Sequence, residues 1–213
     1  MLEFVLDRAP DLAYRSFQHV SLVVQCVALA TVVAVAAALL VTTVPRLKPV
    51  ANFISSVGLT VPSLALLGLM LPVVGIGTLP SVAVVTFYAA LPILRNAVVG
   101  LEGVSANLLE SARGMGMNPL LTFLRVQLPM AWPVILAGLR VSTQMSMGVA
   151  AIAAYALGPG LGGWIFTGLA QIGGQNAVNY ALTATIAIVV LALLLDLLLR
   201  LLGRFTISRG ISA

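Results

Sequence analysis

The sequence predicts an all-α, polytopic membrane protein with five transmembrane helices, and three observations predict it. Of its 213 residues, 61% are hydrophobic and only 8% are charged, while the mean hydropathy is +1.12, well above the apolar share of soluble domains. The apolar residues gather in runs that reach the roughly 20 residues a helix needs to cross a hydrocarbon core. These runs follow one another with little polar sequence between them, so residues 1–213 read as one membrane domain without a soluble module.

Residues 1–18 mix Glu3, Asp7, Arg8, Asp11 and Arg15 with Phe4, Val5, Leu6, Leu12 and Tyr14. That pattern lacks the basic start and small-residue cleavage site of a signal peptide, and it reads as an interfacial amphipathic segment. The five predicted spans are then Val20–Val44, Val50–Leu71, Leu79–Val99, Pro133–Leu157 and Ala177–Leu202. Pro62 interrupts the second and Pro92 the third, and Asn52, Ser55, Ser56, Thr60 and Ser63 make the second polar. Broken, polar helices line a cavity or pack against protein, because freed backbone groups need partners. Here both readings stand.

Five crossings place the termini on opposite sides, and the basic residues choose the orientation. With the N-terminus outside, Arg46, Lys48, Arg95, Arg113, Arg125, Arg140, Arg200, Arg204 and Arg209 fall on the cytoplasmic side and Arg8 and Arg15 outside, nine of the 11 against two. The net charge of +5 is spread singly, without a basic patch interleaved with aromatics, so no nucleic-acid partner is indicated. Trp132 and Trp164 bracket the fourth span, as interfacial rings do.

Residues 101–131 form the longest polar interruption. Ser105 opens a first short helix that runs through Arg113, and Gly114 and Gly116 allow it to end. Asn118–Pro119 pairs a cap with a proline at the first helical position, so a second helix starts there and runs to about Gln127, where Pro129 stops it. Leu108, Leu109, Ala112 and Met115 share one face of the first helix, and Leu120, Leu121, Leu124 and Leu128 form a stripe on the second. Such a pair either packs on the membrane surface or docks onto a partner.

Within that loop, Glu110-Ser111-Ala112, Gly116 six positions after the glutamate, and Val126-Gln127-Leu128-Pro129 resemble the EAA loop of binding-protein-dependent ABC permeases. The usual form is Glu-Ala-Ala, three residues, Gly, nine residues, Ile-x-Leu-Pro. This chain differs at Ser111 and Val126, both small conservative changes. The stretches Tyr88–Asn96, Leu109–Met117, Leu128–Arg140 and Leu157–Phe166 are most similar to the glycine betaine/carnitine/choline, or osmoprotectant, branch, with Pro159 where a small residue is common.

The resemblance implies a type I ABC importer (MetI-like) permease fold and a five-helix core that pairs with a second copy or a related permease. It also implies that Glu110, Ser111, Ala112, Arg113, Gly114, Met115, Gly116, Leu128 and Pro129 form a coupling element seated on an ATPase subunit. A dimer of such subunits would drive a bistable membrane dimer between inward- and outward-facing states. The expected location is a bacterial inner membrane, and the remaining partners are membrane lipid and an extracytoplasmic binding protein that delivers a small quaternary ammonium cargo. An amino acid or related zwitterion is the alternative cargo.

The chain itself reads as non-catalytic and without a cofactor. A Walker A site needs a lysine after glycines, and the one lysine, Lys48, has none near, so ATP and magnesium belong to the partner. Gly158–Gly163 lacks the strand–turn–helix context of a dinucleotide site. His19, the single histidine, forms no metal cluster and reads as an interfacial or capping residue, and Cys26 reads as a packing residue. Asp196, costly within a span, is expected to pair with Arg200 one turn on.

A secondary transporter would call for more intramembrane acids than Asp196, and an intramembrane enzyme for an ionisable cluster that the spans lack. Ser56, Thr60, Gln144, Met145, Ser146 and Met147 offer hydroxyl, amide and thioether groups to a translocation path, and equally suit helix packing.

Overall fold

The computed structural model describes residues 1–207, so Arg209 lies outside the described residues. These are almost wholly helical: α1 (Leu2–Asp7), α2 (Ala9–Thr43), α3 (Lys48–Gly58), α4 (Ser63–Val74), α5 (Thr78–Glu102), α6 (Ala106–Gly114), α7 (Pro119–Thr122), α8 (Leu128–Ala153), α9 (Gly162–Ala170) and α10 (Ala177–Thr206). Helices are the expected solution in lipid, where every backbone donor and acceptor must find a partner within its own segment. Four helical runs are long and apolar enough to cross a membrane, Ala9–Thr43, Thr78–Glu102, Pro119–Ala156 and Ala177–Thr206, and a bent pair makes up to five.

That bent pair corrects the second predicted span. Pro45–Gly58 and Ser63–Val74 meet at a bend of 101° instead of forming one straight helix over Val50–Leu71. Pro62 is extended at ψ 126°, its ring disfavours helical geometry at Val61, and neither limb alone covers a hydrocarbon core of about 30 Å. Hydropathy counts apolar residues and is blind to the direction of the chain. The pair nevertheless joins the two ends of the bundle: Lys48 at its start bonds Glu102 at 2.8 Å, and Gly77 just beyond it donates to the Ala156 carbonyl at 2.8 Å.

The N-terminal segment is divided differently from the 1–18 expectation. Only α1 stands apart, and after a break at Arg8 the chain enters α2, whose 35 residues include 9–18. At about 52 Å, α2 outreaches the hydrocarbon core.

α5 sits at the centre, with α8 and α2 on either side. Small residues permit close approach, as is general for helices packed in membranes: Ala30, Ala34 and Ala38 are buried on α2, Ala89 and Ala97 on α5, and Ala131, Ala150 and Ala153 on α8. At Gly138, a Cβ would lie 2.7 Å from the Asn96 Cβ and 3.0 Å from the Pro92 carbonyl oxygen, so only glycine fits there. The Ser142 hydroxyl donates to the Ala89 carbonyl at 2.7 Å across the same contact. Pro92 does not interrupt α5, which is continuous through it.

Candidate functional site

At the end of the bundle where α5 finishes, residues 103–127 form a compact helical connector. α6 begins after Ser105, whose carbonyl accepts from Leu108 and Leu109, while its side chain makes no cap bond. The helix closes in a Schellman turn: Gly116 N–H donates to Arg113 at 2.9 Å and Met117 N–H to Ala112 at 3.1 Å, with Gly116 at φ +79°, the left-handed geometry that favours glycine. α7 starts as expected, with the Asn118 side chain accepting from Leu121 N–H at 2.8 Å and Pro119 in the first turn.

The stop at Pro129 does not occur. Phe123–Gln127 widens into a π-helical turn and leads directly into α8, giving an unbroken run from Pro119 to Ala156. A wide turn ahead of a proline accommodates its ring and missing N–H without ending the helix.

The two apolar stripes divide between inward and outward roles. Ala112 is buried, and Leu109, Phe123 and Leu128 pack against the body of the protein. Leu108, Met115, Leu120 and Leu124 are exposed, Met115 at 70% and Leu120 at 66%. Glu110, Ser111, Arg113, Gly114 and Gly116 of the connector and Pro129 of α8 are exposed as well. The Ser111 hydroxyl turns back to the Asn107 carbonyl at 2.8 Å, and Glu110 has no ion pair among the described residues. The connector is tied to the end of α5 by Gln127 Nε2 donating to the Leu101 carbonyl at 3.3 Å, and the adjacent Lys48–Glu102 pair joins that end of α5 to α3. It thus leaves apolar and charged side chains together at the surface, with its inner side packed on the body of the protein.

The six path candidates are not brought together. Ser56 and Thr60 are exposed on the bent pair, Gln144 is exposed on α8 and Met145 is half-buried. Ser146 and Met147 are buried inside the subunit, and the Met147 carbonyl accepts from His19 Nε2 at 3.1 Å. His19 is therefore a core residue instead of an interfacial or capping one. It is fully enclosed and lies so close to Gly160 that a Cβ there would meet its Nδ1 at 2.7 Å. Cys26 is a buried free thiol, as expected.

Asp196 bonds Arg200 as its spacing predicts, through Nε at 2.7 Å, and sequence reasoning missed its second partner. Arg140 on α8 holds the same carboxylate through Nε at 2.8 Å and Nη2 at 3.2 Å. Elimination could have found it, since an arginine within the fourth span needs an acid and Asp196 is the only one lying inside a predicted span. Also missed was a cluster at the opposite end. Phe4, Trp164 and Tyr180 meet edge to face at 4.9–5.9 Å, Arg8 lies over Phe4 and Tyr180, and Trp164 Nε1 donates to Asp11 at 3.0 Å. Trp164 is consequently buried in protein rather than a free interfacial ring.

Comparison with known proteins agrees with this geometry. Solved inward-facing structures of the MetNI methionine ABC transporter share the fold, one with a TM-score of 0.69 at 24% identity and another with 0.71 at 19%, each alignment covering 95% of this chain and 96% of the other. The choline transport system permease protein OpuBB of Bacillus subtilis is 35% identical over 199 residues, 93% of this chain and 90% of that protein. The glycine betaine/carnitine/choline permease OpuCB of the same organism is 34% identical over 99% of this chain and 95% of its own length. The osmoprotectant import permease OsmW of Salmonella typhimurium is 36% identical, with 99% and 98% covered. Residues 27–208 match the family model of the binding-protein-dependent transport system inner membrane component. With that match spanning most of its length, the chain belongs to this family of multi-pass inner-membrane permeases.

Proposed function

We propose that this chain is the permease subunit of an ATP-driven importer that moves a small quaternary ammonium osmoprotectant of the glycine betaine, carnitine or choline type. The observation that carries the reading is the α6–α7 connector. It exposes Leu108, Met115, Leu120 and Leu124 together with Glu110 and Arg113 on a Schellman-capped helix and its successor, the chemistry needed to seat a separate ATPase. The cargo class follows from the relatives, which transport choline, carnitine and glycine betaine. The spans are compatible with it, because fixed charge within them is confined to a few residues such as Arg95, Arg140 and Asp196, and a mostly neutral path neither traps a cation nor rejects a zwitterion.

In this reading the N-terminus is outside, and the connector faces the cytoplasm and an ATPase dimer that supplies ATP and magnesium. The chain performs no catalysis, pairs with a second copy or a related permease, and receives its cargo from an extracytoplasmic binding protein. Specificity resides in that receptor, where an aromatic cage can hold a methylated cation. Among Ser56, Thr60, Gln144 and Met145, the exposed side chains are the ones available to a path between two permease subunits.

The test is uptake of labelled betaine, choline, carnitine and methionine by cells with and without the gene, at low and high osmolarity. Loss of quaternary ammonium uptake alone is expected. Loss of methionine uptake with the others unchanged would move the protein to an amino-acid branch.

A further inference from the structure

Between α8 and α10, near the end that carries the connector, lies a groove of about 440 Å³. Its walls are apolar, Pro133, Leu136 and Ala137 from one helix and Ile207 beyond the other, and its rim carries Arg140, Arg200 and Arg204. Three guanidiniums here face one carboxylate. Asp196 engages Nε and Nη2 of both Arg140 and Arg200, and the remaining donors of those two side chains have no partner among the described residues. Arg204 has no acidic partner among the described residues. An arginine carries five N–H donors and no acceptor, and the site therefore has an excess of two positive charges and several unmatched donors.

Two further observations fix its surroundings. Trp132, half-buried at the start of α8, donates Nε1–H to the Thr206 hydroxyl at 2.8 Å, placing an amphipathic ring beside the groove, and such rings settle where the hydrocarbon meets the headgroups. One and two turns before Arg200, Leu197 and Leu193 are both exposed and share its helical face. An apolar groove with three arginines on its rim thus runs from the Trp132–Thr206 contact toward an open apolar track.

We propose that this groove binds an anionic phospholipid, its phosphate held by Arg140, Arg200 and Arg204 and an acyl chain laid along the exposed Leu193 and Leu197. Charge complementarity selects an acidic headgroup over a zwitterionic one, since basic groups at membrane level are each worth about 1 kcal/mol toward anionic lipid. The apolar walls select a lipid over a free phosphate.

The test is native mass spectrometry of the purified full chain released from detergent micelles doped with phosphatidylglycerol, phosphatidylcholine or inorganic phosphate. Preferential retention of phosphatidylglycerol is expected. Arg204→Gln, which leaves the Asp196 ion pairs in place, should reduce that retention about fivefold, and Ala137→Phe should reduce it by filling the groove. A Cys26→Ala, Ala137→Cys chain should not crosslink to a second subunit in membranes. Equal retention of the two lipids, retention unchanged in both variants, or efficient crosslinking between subunits through the thiol introduced at position 137 would overturn the assignment.

Discussion

The hydroxyl of Tyr88 on α5 donates to the Val61 carbonyl at the bend between α3 and α4. In a continuous helix that carbonyl would accept from the Ala65 N–H, but the extended backbone at Pro62 turns the chain away from it. Tyr88, itself 4% exposed, supplies the missing donor.

Tyr88→Phe is therefore expected to leave the bend without its pin at nearly unchanged volume. An unsatisfied buried carbonyl costs about 1–3 kcal/mol. The loss should appear as a lower melting temperature in detergent and as faster modification of a cysteine placed at Thr60. Unchanged values of both would show that the bend is held by packing alone.

Asp196 bridges two helices through two arginines, and removing the acid strands both cations. Asp196→Leu should destabilise the chain by about 3 kcal/mol, the low end for a buried pair because both arginines remain partly exposed. Adding Arg140→Leu to that variant should recover part of the loss. A double variant no more stable than the single one would argue against a bridge between α8 and α10.

Gly116 separates conformation from space. Nothing lies within 4 Å of a Cβ built there, yet φ is +79°. Gly116→Val should impair transport and ATPase co-purification, at a local cost of about 1–2 kcal/mol, while Gly116→Asn, which tolerates left-handed geometry, should retain most of both. Equal behaviour of the two variants would mean that surface shape rather than the turn decides.

Orientation is open to direct labelling. In a Cys26→Ala background, single cysteines at the exposed positions Ser105 and Gln175 should react oppositely with an impermeant maleimide in intact cells: Gln175→Cys labelled, Ser105→Cys protected. Labelling of the Ser105 site would reverse the proposed topology.

Much of the architecture was legible because lipid imposes a simple rule, and the first, third, fourth and fifth spans obey it from hydropathy alone. The Schellman turn at Gly116 and the Asn118 cap were also readable, since both depend on contacts within six residues. What was hidden depends on distance or on backbone accommodation. The Arg140–Asp196 bond joins residues 56 positions apart, His19 is buried by Gly160 and Met147 from far along the chain, and the π turn before Pro129 is a local widening that no proline rule anticipates. The grouping of path candidates was illegible for another reason: Ser146 and Met147 point into the subunit while Gln144 points out, and composition carries no sense of facing.

The uninterrupted helix from Pro119 to Ala156 has 38 residues and so measures about 57 Å. It begins in the exposed connector and ends where the Ala156 carbonyl accepts Gly77, next to the bent pair. Over that length a tilt of about 5° displaces the far tip by about 5 Å, whatever sets the tilt. The exposed connector and the Gly77–Ala156 contact are therefore the two ends of one continuous helix, and any change in its direction displaces them relative to each other.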